Sequence, residues 1–167
     1  MPSELARVVG LSLTPVKGLR ILRRERVLLE RDGIPGDRRF YLLDDRGRMV
    51  NGKHHGALNE VCAELDPRRF RMSIEIDGAG AFAEDGWLGR EVLIGETTIR
   101  PRGHVGRCIV TSRDPESGAV DVPTLDLLRD LRAGAATTEP LALGVWGEVL
   151  VPGEVRVGDA VSLVDDV

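Results

Sequence analysis

Apolar residues come along this chain in short runs broken by Gly, Pro and Asp, a pattern of strands and tight turns. Leu5 to Leu13 partly alternates and stops at Thr14-Pro15. Arg26 to Glu30 predicts a short strand before the turn Arg31-Asp32-Gly33. Arg38 to Leu43 predicts another, closed by Asp44-Asp45-Arg46-Gly47, with Arg48 to Val50 returning as its hairpin partner. His55 to Val61 fits a helical turn or a strand. Phe70 to Ile76 alternates as a strand would, ending at Asp77-Gly78. Val92 to Ile94 and Thr97 to Arg100 flank Gly95-Glu96 as a hairpin, and Cys108 to Ser112 is apolar enough for a buried strand. Gly144 to Leu150 and Val155 to Val164 complete the strands, joined by Pro152-Gly153. One helix stands out, from Thr124 to Arg132: Pro123 sits at its start, Leu125, Leu128 and Leu131 recur along one face, and Thr124 or Asp121 can cap it. Many short strands and little helix predict a mainly β fold, a β-barrel with one or two short helices.

At 167 residues the chain fits a single domain spanning 1–167. Hydrophobic content of 42% and charged content of 30% are those of an ordinary globular protein. Two cysteines, Cys62 and Cys108, cannot form a disulfide framework, and neither has zinc-ligand spacing. A reduced thiol, the absence of an apolar run after the first charges and the lack of a membrane-length apolar stretch predict a soluble, cytoplasmic protein. The net charge of −4 argues against nucleic acid or an anionic membrane as partner. The arginines at positions 68, 69 and 71, like those between 20 and 39, read mostly as solvated strand edges and turns.

Candidate chemistry gathers at a few places. Arg107-Cys108 sets a thiol beside a fixed cation, and a cationic neighbour favours the thiolate that binds soft metals. Lys17-Gly18 places an ammonium in a turn after the first apolar run. Lys17 and Lys53 are the only lysines of the chain, so Lys17 stands out as a compact charge suited to phosphate. Gly36-Asp37-Arg38 offers a guanidinium that can grip an oxyanion through two parallel hydrogen bonds, with Asp37 to buttress it. Phe70-Arg71 offers a further guanidinium. His104, four residues before Cys108, is a candidate proton donor. The competing reading of each is structural: a core thiol, a surface turn, a solvated ion pair.

Several of these stretches resemble the MOSC domain, the module of molybdenum-cofactor sulfurases and of amidoxime-reducing molybdoenzymes. The resemblance is carried by Ala83-Glu84-Asp85-Gly86-Trp87, by Gly106-Arg107-Cys108 with Asp114-Pro115-Glu116-Ser117-Gly118, and by Pro152-Gly153-Glu154-Val155-Arg156-Val157-Gly158-Asp159. Thr14-Pro15-Val16-Lys17-Gly18 is similar to the family's Tyr-Pro-Val-Lys-Ser/Gly opening, and Gly36-Asp37-Arg38 through Asp44 to its Gly-Asp-Arg segment. Residues 1–60 resemble the N-terminal segment and 70–167 the core, without a long middle section of larger relatives. The resemblance implies a MOSC-like β-barrel, shortened, that binds molybdenum cofactor of the molybdopterin type. It implies Cys108 as molybdenum ligand and catalytic thiol, with Lys17, Gly18, Arg38, Arg71 and Arg107 on the cofactor. Phe70-Arg71 matches half of a Phe-Arg-Pro-Asn segment, and a second register leaves that segment deleted. Two activities are implied: an oxidoreductase reducing N-hydroxylated small molecules with an electron-donor protein, or a sulfur carrier supplied by a sulfur-donor protein. The alternative is a non-catalytic module that carries the cofactor or another anion.

Overall fold

The structure is a computed structural model that describes residues 4–15, 21–39, 42–43, 49–50 and 67–164. Lys17, Gly18, Asn51-Gly52-Lys53, the pair His54-His55 and Cys62 lie outside the described residues. The chain folds mostly into strands with a single α-helix, as a sheet curled into a half-barrel.

Its central strand is β1 (Glu4–Leu13), where Ala6, Val8 and Leu11 point into the core while Glu4, Arg7 and Val9 face out. Three strands run antiparallel to it: β2 (Leu22–Arg24) at its last residues, β6 (Ile74–Asp77) along its middle and β11 (Ala160–Leu163) at its start. From β11 the sheet continues through β7 (Val92–Ile94), β8 (Thr97–Gly106) and β9 (Ala142–Val151). Two small ladders stand apart, β3 (Arg26–Leu29) with β10 (Gly153–Arg156) and β4 (Leu42–Leu43) with β5 (Met49–Val50). The core packs Val27, Leu29 and Val155 of the first ladder against Ala6, Val8, Leu11, Val92, Ile94 and Val161 of the main sheet, with Trp87 filling its side. Burial of such apolar surface is the main force holding the layers together.

Four expected strands come out differently, each for a local reason. Arg38 and Arg71 have φ of 49° and 54°, a left-handed conformation that no strand accommodates. The segment Pro67–Phe70 therefore winds as a 3-10 turn, and β6 starts only at Ile74. Cys108 is extended, but the next turn, Ile109–Ser112, is 3-10 because the Thr111 N–H (3.0 Å) and hydroxyl (2.9 Å) both donate to the Cys108 carbonyl. The run from Val155 onward breaks at Gly158, whose φ of 96° makes a turn, so that β10 pairs with β3 and β11 with β1 and β7. The helix α1 (Thr124–Leu131) lies where the leucine spacing puts it. Thr124 does not cap it; its hydroxyl donates to the Thr111 carbonyl at 2.9 Å and ties α1 to the turn after Cys108.

The turn into β10 depends on a missing side chain. A Cβ on Gly153 would meet the Glu96 carbonyl oxygen at 2.5 Å, a backbone atom that cannot step aside. Gly153→Ala is expected to cost about 1–3 kcal/mol, read as a lower midpoint in thermal unfolding; an unchanged midpoint would contradict this packing.

Candidate functional site

Two arginines far apart in sequence, Arg107 and Arg38, meet on one short segment, Arg69–Ser73, which itself carries Arg71. The Arg107 guanidinium donates through Nη1 to the Phe70 carbonyl at 2.7 Å and through Nη2 to the Met72 sulfur at 3.0 Å. Nη2 also reaches the Leu143 carbonyl, and the group lies 5.4 Å over the Phe70 ring. On the very next carbonyl, that of Arg71, sits Arg38, donating through Nη2 at 2.6 Å. Its Nη1 pairs with Asp37 and reaches the Ser73 hydroxyl at 3.4 Å. Asp37 uses its other oxygen to accept the Thr14 N–H at 2.5 Å, and the Arg38 N–H donates to the Thr14 carbonyl at 2.6 Å. The end of β1, the Asp37-Arg38 turn and the start of β6 are thus one hydrogen-bonded unit, closed by Ser12 N–H on the Ser73 carbonyl at 2.9 Å.

Electrostatics at this unit are unusual. Burial lowers the Arg71 pKa, and the nearby Arg38 charge lowers it further, against an opposing pull from Asp37. Two guanidinium groups are therefore held within reach of each other's field, on two residues with left-handed backbone. Burial also pulls the Arg107 guanidinium down to about 10, with the neighbouring Cys108 acting in the opposite direction. Because the Arg107 donors go to main-chain carbonyls and a thioether, this residue holds the cysteine turn in place from behind.

Cys108 itself is a free, half-buried thiol at the mouth of the 3-10 turn. The loop that follows is built by Asp114, whose Oδ1 accepts from Glu116 N–H at 3.0 Å, Ser117 N–H at 2.7 Å and the Ser117 hydroxyl at 2.8 Å. Gly118, at φ 70°, lets the chain return to an Arg113–Val120 bridge. Arg69 then closes the loop. It is 3% exposed, and it forks onto both Asp121 oxygens at 2.8 and 2.6 Å while donating to the Arg113 carbonyl at 2.7 Å.

His104 stands apart from this chemistry. Only 2% exposed, it accepts the Thr138 N–H at Nδ1 (3.0 Å), so its ring hydrogen sits on Nε2 and points to Asp85 at 3.0 Å. Asp85 also takes Arg132 at 2.7 Å, which fastens the loop after α1 to β8. Trp87, in the same Ala83–Trp87 turn, is buried in the core. The Ala83-to-Trp87 motif is therefore structural. Among the described residues no cluster of three or more His, Cys, Asp or Glu side chains is placed to hold a metal ion.

A profile of the MOSC domain matches residues 46–162, and one of the MOSC N-terminal beta barrel domain matches residues 5–86. The chain belongs to the MOSC family. Among curated relatives, mitochondrial amidoxime-reducing component 1 of Mus musculus is 36% identical over 117 residues, 64% of this chain and 34% of that protein. Mitochondrial amidoxime reducing component 2 of Homo sapiens is 35% identical over 104 residues, 59% of this chain and 30% of its own length. The match thus spans about a third of these relatives. The YuaD protein from Bacillus subtilis has the same fold, with a TM-score of 0.57 at 15% identity and 98% of both chains covered.

Within this MOSC chain the residues expected at the site separate into groups. Arg38, Arg71 and Arg107 meet on one segment, and Cys108 adjoins Arg107. Lys17 and Gly18 lie outside the described residues. Sequence reasoning missed Arg69 and Asp121. Arg69 reads as one of several surface arginines, and a pair 52 positions apart leaves no spacing to detect. Only the position of Arg69 directly before Phe70-Arg71 hints at it.

Two carboxyls of the loop make its stability depend on acid. Asp114 is held below the usual carboxylate range chiefly by the Ser117 donors, and Asp121 by its hydrogen bonds from Arg69. A carboxyl depressed in the folded state contributes its full stabilisation above its unfolded value, about 3.9, and loses it as pH falls through the lower folded value. The midpoint of thermal unfolding should therefore fall as pH drops below roughly 4. Arg69→Met, which removes the cause of the Asp121 depression, should fall less steeply there; equal slopes would count against the assignment.

Proposed function

We propose that this MOSC protein binds molybdenum cofactor of the molybdopterin type, with the Cys108 sulfur as the protein's ligand to molybdenum. Arg38 and Arg71 would hold the anionic end, and Lys17 with the Gly18 main chain would add to that grip. The observation that carries the reading is the like-charge pair. Burial and the nearby Arg38 charge both lower the Arg71 pKa, and an oxyanion bound beside the two guanidinium groups would favour their charged forms. The donor set agrees with such a group. Among the described residues Cys108 has no surrounding cluster of ligands, which suits a metal whose remaining ligands arrive with its cofactor.

A bound molybdenum cofactor supplies oxygen-atom transfer coupled to a change in oxidation state. The chain's own residues bind and orient. Arg38 and Arg71 neutralise charge on the cofactor, and the Thr111 hydroxyl and N–H on the Cys108 carbonyl shape the turn that carries the thiol. Arg107 fixes the turn from behind through the Phe70 and Leu143 carbonyls. The names of the relatives favour reduction of N-hydroxylated substrates, with electrons from a donor protein, over sulfur handling through a persulfide at Cys108.

Protein made in a host that synthesises the cofactor should carry molybdenum and pterin in stoichiometric amounts by elemental and fluorescence analysis; absence of both overturns the proposal. Cys108→Ser should lose turnover of an N-hydroxylated substrate even where cofactor is retained; full activity in that variant would show that the thiol is not the ligand. Arg38→Ala and Arg71→Ala should each weaken pterin retention about tenfold, the effect of removing one charge-assisted hydrogen bond. Retention of cofactor without turnover of an N-hydroxylated substrate would identify a carrier instead of a reductase.

A further inference from the structure

Segment Arg69–Ser73 touches both halves of the site. Its Phe70 carbonyl holds Arg107, immediately before Cys108, and its Arg71 carbonyl holds Arg38. Its first residue, Arg69, reaches in the other direction to the loop after Cys108. There it grips Arg113 by the main chain and Asp121 by both carboxylate oxygens, with Asp114 3.8 Å away. Asp121 in turn donates its own N–H to the Ser112 carbonyl at 3.1 Å, at the end of the turn that Cys108 begins. The turn that Cys108 begins is thereby tied, before and after it in the chain, to neighbouring residues of one strap.

The buried fork is specific in geometry. A planar guanidinium on two carboxylate oxygens fixes direction as well as distance, which a flexible ammonium does not. The same guanidinium donates to the Arg113 carbonyl, so a change at Arg69 loosens both ends of the loop neck, at Arg113 and at Asp121. The ends of that neck are the Cys108 turn and, through the Thr124 hydroxyl on the Thr111 carbonyl, the start of α1.

We infer that Arg69 is a positioning residue for the cofactor ligand: its fork on Asp121 fixes where Cys108 stands relative to the Arg38 and Arg71 pair. This rests on the proposed cofactor reading, in which thiol and guanidinium pair serve one ligand. Arg69 does not touch the cofactor; it acts through the loop it closes.

The test uses the full chain free of cofactor and two disulfide reagents, an anionic aryl dicarboxylate and a neutral dipyridyl. Both are attacked by the same thiolate, so the ratio of their rates cancels its ionisation and reports the charge around it. Rates are read from the labelled peptide that carries Cys108, and the urea-unfolded chain gives the baseline. Wild type should favour the anionic reagent over that baseline, and Arg69→Met should lower the preference roughly fivefold, the factor one charge contributes across water at contact distance. Arg69→Lys, which keeps the charge but not the fork, should fall between them and carries the test if the Met variant does not fold. Val161→Ala, destabilised in the core and not part of the strap, should keep the wild-type ratio. A wild-type ratio in every folded Arg69 variant overturns the role of Arg69 alone. A wild type without preference for the anion overturns the shared-ligand reading and this inference with it.

Discussion

The site depends on main-chain carbonyls being used as anchors for arginine. Consecutive carbonyls at Phe70 and Arg71 each take a guanidinium from a different part of the chain, one from the end of β8 and one from the turn after β3. A carbonyl at a left-handed corner is not committed to a sheet ladder, so it is free to accept. The strain at Arg71 and the anchoring of Arg38 and Arg107 are therefore two sides of one arrangement. Without that corner Arg38 and Arg107 would have no common point of attachment.

Scale decides which interactions matter. Exposed pairs such as Arg7 with Glu4 or Arg129 with Asp126 contribute little, because water screens them and the side chains must be ordered to meet. Arg69 and Asp121 differ because the guanidinium is wholly buried. Removing one partner there strands the other in a poorly solvated place, which makes the pair a strong determinant of loop shape even where its net contribution to stability is small. The same reasoning sets His104 apart: every ring nitrogen is used, so it serves the sheet and not the site.

Much of the fold was legible in the pattern of the chain. Alternation in Leu5 to Leu13 marks β1, Gly95-Glu96 marks the β7–β8 hairpin, and the leucine spacing marks α1. What periodicity could not reveal was backbone conformation at Arg38 and Arg71. An alternating stretch such as Phe70 to Ile76 reads as a strand whether or not one residue turns left-handed. Likewise Cys108 to Ser112 has strand composition, and only the hydrogen bonds of Thr111 wind it. The resemblance to MOSC domains supplied Cys108, Arg38 and Arg71 as candidates. It gave no hint of the Arg69 clamp, since long-range pairing of charges leaves no local signature.

Arginine is an expensive choice at a corner with φ near 50°, where glycine or asparagine would sit without penalty. Exchange of Arg38 for glycine would relax the peptide but also remove the hydrogen bonds to Asp37, Ser73 and the Arg71 carbonyl that bind this corner to the sheet, so the strained backbone persists because its side chain offsets the strain.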